Sequence, residues 1–102
     1  MKITKIKVNS LLPKEQGICG EFTITFDNAL VVRRIYVING KNGLFVTFPN
    51  DGTSHIVNGV KRYTDLVFPT SQTFRQYIVD EVLSAYREEV EKFQAITSDS
   101  GV

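Results

Sequence analysis

Val37-Ile38-Asn39-Gly40-Lys41-Asn42-Gly43-Leu44-Phe45-Val46, closed by Thr47-Phe48-Pro49, joins two apolar runs through two Asn-Gly steps. Asn and Gly tolerate the positive φ that tight hairpin turns demand, so Asn39, Gly40, Asn42 and Gly43 are read as structural turn residues that serve backbone geometry. So short a connection makes the flanking strands antiparallel, since a parallel crossover needs a dozen or more residues. The upstream run, residues 30–39, sets Val31, Ile35 and Val37 on one side and Leu30, Val32, Tyr36 and Ile38 on the other. That pattern predicts a strand buried on much of both faces. The downstream run, residues 43–48, returns beside it.

Working outward, Ile18, Gly20, Phe22, Ile24 and Phe26 repeat at period two, with Cys19, Glu21, Thr23 and Thr25 opposite. This is the clearest strand of the chain, and Asp27-Asn28 turns it into the next. Before it, Ile6, Val8 and Ser10 alternate with Lys5, Lys7 and Asn9, a strand with one wet face that ends before Pro13. Beyond Pro49 the residues become small and polar, with Asp51-Gly52 and Asn58-Gly59 as turn signals around His55-Ile56-Val57, which predicts a small projecting hairpin. Residues 63–68 read as a last strand, stopped by Pro69. Thr70 and Ser71 are candidate N-caps for one long helix over residues 72–94, whose Phe74, Ile78, Val82, Tyr86, Val90 and Phe93 recur at spacings of three and four, widened by Val79 and Leu83. The stripe must cover the sheet. The expected class is α+β: a mostly antiparallel sheet of about five strands plus the small hairpin, with one long C-terminal helix packed on it. Residues 1–94 form a single domain and residues 95–102 a flexible tail.

At 102 residues with 42% hydrophobic content, the chain suits one domain with a real core. No apolar run approaches the roughly 20 residues that cross a bilayer, and Met1-Lys2-Ile3-Thr4-Lys5 lacks the apolar segment of a secretory signal, so a cytoplasmic protein without membrane insertion is expected. The single cysteine, Cys19, has neither a disulfide partner nor the Cys/His spacing of a zinc site. No cofactor, metal or small-molecule substrate is expected. His55 is the only histidine and lies in a turn-rich segment, and the glycines form neither GxGxxG nor a P-loop. No catalytic residue is assigned. Net charge is +1, yet residues 1–62 hold nine Lys/Arg against four Asp/Glu and residues 63–102 hold three against seven. The split predicts a basic and an acidic region, of use for nucleic acid or self-association.

Three blocks of the chain resemble the SpoVG (stage V sporulation protein G) family of bacterial septation regulators. The first is Val31-Val32, Ile35 and the run from Val37 to Val46 with Pro49; the second is Tyr63-Thr64-Asp65-Leu66-Val67-Phe68-Pro69; the third is Arg75, Ile78 and Val82-Leu83-Ser84-Ala85-Tyr86 on the helix. With the opening Met1-Lys2-Ile3-Thr4-Lys5-Ile6-Lys7, the similarity covers about residues 1–93 in one order. The resemblance implies a homodimeric DNA- and RNA-binding regulator of septum formation and sporulation, not an enzyme. It differs from the family pattern at Pro49-Asn50-Asp51-Gly52, where a basic pair is usual, and at Thr64, Phe68 and Tyr77. A protein-interaction module of the division or sporulation machinery that does not touch nucleic acid is the alternative, favoured by the loss of that pair.

On this reading the nucleic-acid contacts are Arg75, Lys61, Arg62, Arg33 and Arg34. Arg75 matches the family's helix arginine and sits near a helix N-terminus, whose N–H groups favour phosphate. Strand alternation sends Lys61 and Arg62 to opposite faces and likewise separates Arg33 from Arg34. Lys5 and Lys7 share a side and could extend a basic stripe, although a plain solvent face is the first reading. Glu88, Glu89 and Glu91 would repel phosphate, so the nucleic-acid path is expected near the helix start and residues 50–62.

Overall fold

Tight hairpins connect most neighbouring strands, and they dictate the topology. The computed structural model describes residues 1–11 and 17–100, with side chains to Lys92. Strands β1 (Ile3–Leu11), β2 (Ile18–Phe26), β3 (Leu30–Gly40) and β4 (Gly43–Thr47) form an antiparallel sheet in sequence order. β5 (Asn50–Val57) and β6 (Val60–Asp65) pair only with each other as a ribbon, and α1 (Gln72–Ser100) follows. The α+β class is as expected. Pro13, read as the stop of the first strand, lies outside the described residues, as do the side chain of Phe93 and the last two residues.

In the β3–β4 hairpin the closing pair is Gly40 and Gly43, around Lys41-Asn42. Of the two Asn and two Gly in this stretch only Gly43 takes a positive φ, 114°. Gly40 serves a different need: a Cβ built there would lie 2.7 Å from Cε1 of Phe45, so its missing side chain makes room for that ring. In the ribbon, Asn58 and Gly59 have φ of 51° and 79° between the closing pair Val57 and Val60. Two successive positive φ values match the right-handed twist of a two-residue hairpin. That turn pairs the chain after Gly59 with β5, so the strand expected over residues 63–68 is β6 and ends at Asp65. The Leu66 N–H donates to the carbonyl of Pro49 at 2.7 Å and closes the ribbon's base. The main sheet therefore has four strands.

The core lies between this sheet and α1. Phe22, Ile24 and Phe26 of β2, Val32, Ile35 and Val37 of β3, and Phe48 meet Ile78, Val82 and Tyr86 of the helix, all buried. Ile6 and Val8 of β1 and Leu44 and Val46 of β4 pack at its margins. Helix α1 starts at Ser71, whose Oγ accepts from the Phe74 N–H at 3.1 Å, an N-cap that satisfies one of the free donors of the first turn. Tyr77 fastens the helix to the sheet, its hydroxyl accepting from the Ile3 N–H at 3.1 Å. The helix runs to Ser100, past the end expected at Gln94, because the sequence offers no Pro or Gly before Gly101.

β3 differs from its sequence reading in one decisive respect. Phe22 pairs with Ile35 and Ile24 with Val32, so Arg33 and Arg34 together oppose Thr23. This is a β-bulge, and Arg34 within it has φ 61°. The extra residue shifts the alternation: Val32 joins Ile35 and Val37 in the core, while Val31 faces out. The strand is buried on one face only.

Candidate nucleic-acid interface

The uncovered face of the sheet collects its side chains by alternation, interrupted by register shifts between Ile3 and Lys5, Val8 and Ser10, and Ile18 and Gly20 as well as at the bulge of Arg33 and Arg34. Lys5, Lys7 and Asn9 of β1 and Glu21, Thr23 and Thr25 of β2 point away from the helix, as the burial of their neighbours Ile6, Val8, Phe22, Ile24 and Phe26 requires. In a regular strand Arg33 and Arg34 would part. The bulge keeps both exposed and on this same face, where with Val31 they border one shallow depression shared with Lys5, Lys7, Asn9, Glu21, Thr23 and Thr25. A positive φ is uncommon for a residue with a side chain, and here it is the conformation that turns the second arginine outward.

Register sets the spacing. Lys5 pairs with Thr25 and Lys7 with Thr23, so Lys7 and the arginines stand two strands apart, about 9–10 Å. Thr23 donates its hydroxyl to Oδ1 of Asn9 at 2.7 Å between them. Among the described residues Glu21 is the only acid bordering the depression. Among the described residues the only ion pair is Lys92 with Glu89, on the helix, and none joins these four cations to a described carboxylate. Four exposed positive charges over a polar floor suit a phosphate backbone.

The same face continues towards the β3–β4 turn with a different chemistry. Ile18 pairs with Ile38 and Ile38 with Phe45, placing three apolar side chains in a row across β2, β3 and β4. Tyr36 pairs with Thr47 and is the diagonal neighbour of Phe45. Phe45 is 46% exposed.

The other expected contacts lie elsewhere. Arg75 is half-buried on the helix side of the sheet, its Cζ 5.1 Å from the centroid of the core ring Phe48. The guanidinium rests on an aromatic face and forms no ion pair with Asp65 or Asp80, the latter accepting from Nε2 of Gln76 at 2.8 Å. Lys61 and Arg62 are exposed on β6, opposite Ile56 and His55. They point to opposite faces of the ribbon, and Lys61 Nζ lies 5.4 Å from the ring centroid of Tyr63. The five arginines and lysines named from the sequence thus do not form one cluster: Arg33 and Arg34 join Lys5 and Lys7, while Arg75, Lys61 and Arg62 lie apart from them.

Residues 50–53 explain the departure from a basic pair in structural terms. The Gly52 N–H donates to Oδ1 of Asn50 at 2.9 Å, and both the N–H and hydroxyl of Thr53 donate to Oδ1 of Asp51, at 2.9 and 2.6 Å. These local bonds accompany a bulge in the ribbon, with Gly52 at φ 83°, and the bonds from Thr53 lower the pKa of Asp51 below its ordinary value. This segment therefore carries a fixed negative charge. Nearly all of the ribbon is exposed, including Ile56, Val57, Val60 and Tyr63, and the connection beyond it exposes Leu66, Val67 and Phe68. Met1, Leu30, Phe48, Val67, Phe68 and Phe74 border an apolar cleft of about 250 Å³ at the junction of ribbon, sheet and helix.

Among the described residues no group of His, Cys, Asp and Glu is placed to hold a metal ion, and no helix is long and apolar enough to cross a membrane. Cys19 is buried, its Sγ 3.7 Å from the Gly17 carbonyl. Burial, followed by the nearness of Cys19, pushes the phenol of Tyr86 above its ordinary pKa.

Comparison with known proteins covers most of the chain. The family model described as SpoVG matches residues 1–88. The chain is 39% identical over 88 residues to a protein of Clostridioides difficile (strain 630) named "Putative septation protein SpoVG", covering 86% of this chain and 89% of the relative. A relative of the same name from Acholeplasma laidlawii (strain PG-8A) is 38% identical over 88 residues, covering 86% and 87%. Another, from Borreliella burgdorferi (strain ZS7), is 35% identical over 91 residues, covering 87% and 89%.

Proposed function

The chain belongs to the SpoVG family, and on that premise we propose that it is a homodimeric, cytoplasmic regulator of septation and sporulation that acts by occupying DNA or RNA, without turnover. The observation that carries this reading is the bulge at Arg33 and Arg34, which adds two guanidinium groups to the face of Lys5 and Lys7. Contacts of this kind position a nucleic acid without reading its sequence. Arg75, Lys61 and Arg62 form a second, more dispersed set of cations for the same backbone.

Dimerisation fits the exposed apolar groups of the ribbon and of residues 66–68. A lone two-stranded hairpin is marginal in water, and Ile56 at 75% exposure gains from a partner surface. A second copy would also double the cations offered to one ligand. The competing reading, a protein-interaction module that leaves nucleic acid alone, draws on the fixed carboxylate of Asp51 and on the same exposed apolar ribbon.

Titrating the protein into labelled DNA and RNA at rising salt separates the two readings. The first expects salt-sensitive binding that Arg33→Ala with Arg34→Ala weakens more than the triple change Lys61→Ala, Arg62→Ala and Arg75→Ala. Absence of salt-sensitive binding to either nucleic acid would leave only the interaction module. Light scattering should give twice the chain mass, and a strict monomer at high concentration would overturn the dimer.

A further inference from the structure

The apolar end of the open sheet face is not explained by phosphate binding. Ile18, Ile38 and Phe45 form a row across three strands, with Tyr36 diagonal to Phe45, and the cross-strand pair Glu21 and Tyr36 stands between this row and the cations Arg33, Arg34 and Lys7, with Lys5 beyond them. The Phe45 ring is held over the α-carbon of Gly40, the position where a Cβ would come within 2.7 Å of it. Packed against backbone on one side, the ring stays 46% exposed.

We infer that this face takes single-stranded nucleic acid, its bases stacked on Phe45 and Tyr36 and its phosphates lying over Lys7, Arg33, Arg34 and Lys5. The inference rests on the nucleic-acid reading above and narrows it. A duplex keeps its bases stacked inside and presents phosphates and groove edges, so it has nothing to place on an apolar row; a single strand offers an aromatic face at every nucleotide. Among the described residues, the cationic end of the face carries no helix or ribbon that would enter a major groove about 12 Å wide. Diagonal neighbours on a sheet stand about 7–8 Å apart, a step that an unstacked strand can follow. Charge complementarity comes from four cations against Glu21, the single acid among the described residues of the depression. The shared chemistry, an unpaired base beside a phosphate, belongs to RNA and DNA strands alike.

The test is fluorescence anisotropy of the full chain with uridine and thymidine homopolymers of about 12 nucleotides, within the range that one such surface spans, and with the thymidine strand annealed to its complement. The expected result is tighter binding of both single strands than of the duplex. Phe45→Leu, which keeps an apolar side chain and removes the ring, should lower single-strand affinity roughly 5- to 100-fold and leave duplex affinity unchanged. Tyr36→Leu should act in the same direction. Preference for the uridine strand would add a 2′-hydroxyl contact to the same platform and still support it. Duplex binding equal to or tighter than single-strand binding, or insensitivity of single strands to both substitutions, would overturn the inference while leaving nucleic-acid binding in place. Salt-sensitive binding to none of the three would overturn the wider reading as well.

Discussion

The two faces of the four-stranded sheet are built from the same strands under opposite constraints. Beneath α1, Phe22, Ile24, Ile35, Val37 and Val82 are fully enclosed, and every side chain there is fixed by the volume of its neighbours. On the other face Lys5, Lys7, Arg33, Arg34 and Phe45 have few packing constraints, and a strained backbone at Arg34 is retained to keep two arginines together. The first face holds the fold, and the second is free to take a ligand. Stability and binding should therefore be separable by mutation.

The largest effect belongs to the enclosed face. Phe22→Ala should cost about 3–5 kcal/mol in denaturant unfolding, since the ring lies at the centre of the core and leaves a cavity. The same face carries an alkaline dependence. The folded-state pKa of Tyr86 is raised above the unfolded value of about 10, so its contribution is complete below pH 10 and lost as pH rises through the folded value. Unfolding curves above pH 10 should show this loss, and Tyr86→Phe should reduce it.

The bulge is where the two faces meet, and substitutions at Arg34 sharpen the comparison. Arg34→Val, a β-branched residue forced to φ near 61°, should cost about 1–3 kcal/mol of stability. Arg34→Gly should stay within about 1 kcal/mol, because relief of strain offsets added unfolded-state entropy. Equal losses for the two would break the strain argument. Smallest of all, Lys5→Ala, Lys7→Ala and Arg33→Ala should each change stability by no more than about 0.5 kcal/mol, measured the same way.

Much of this architecture was legible because it is periodic. The alternation from Gly20 to Phe26, the Asn-Gly turns and the stripe of Phe74, Ile78, Val82 and Tyr86 report burial directly, and Ser71 stands where a cap is needed. Against the sequence pattern, a register shift between Ile18 and Gly20 turns Cys19 into the core and Ile18 out. What escaped was the bulge, since strict alternation places Arg33 and Arg34 on opposite faces. Val31, Ile35 and Val37 fit strict alternation as well as the observed Val32, Ile35 and Val37 fit a bulge, so the choice between them is made by the pairing with β2. The last strand was misplaced because the apolar run of residues 66–68 resembles a strand, while pairing is decided locally by Asn58-Gly59. Alternation shows that Lys5 and Lys7 share a side and could extend a basic stripe, but nothing local to β1 reveals that Arg33 and Arg34 of β3 stand across from them.

The central claim is that the cations gathered by the bulge hold a phosphate backbone, and the salt dependence of affinity measures this most directly. On a single strand each neutralised phosphate contributes about 0.7 to the slope of log affinity against log salt. The variant with Lys5→Ala, Lys7→Ala, Arg33→Ala and Arg34→Ala should retain its thermal unfolding midpoint, bind more weakly, and show a slope shallower by about 0.7 for each phosphate it no longer neutralises. A correctly folded variant with unchanged affinity and unchanged slope would contradict the account.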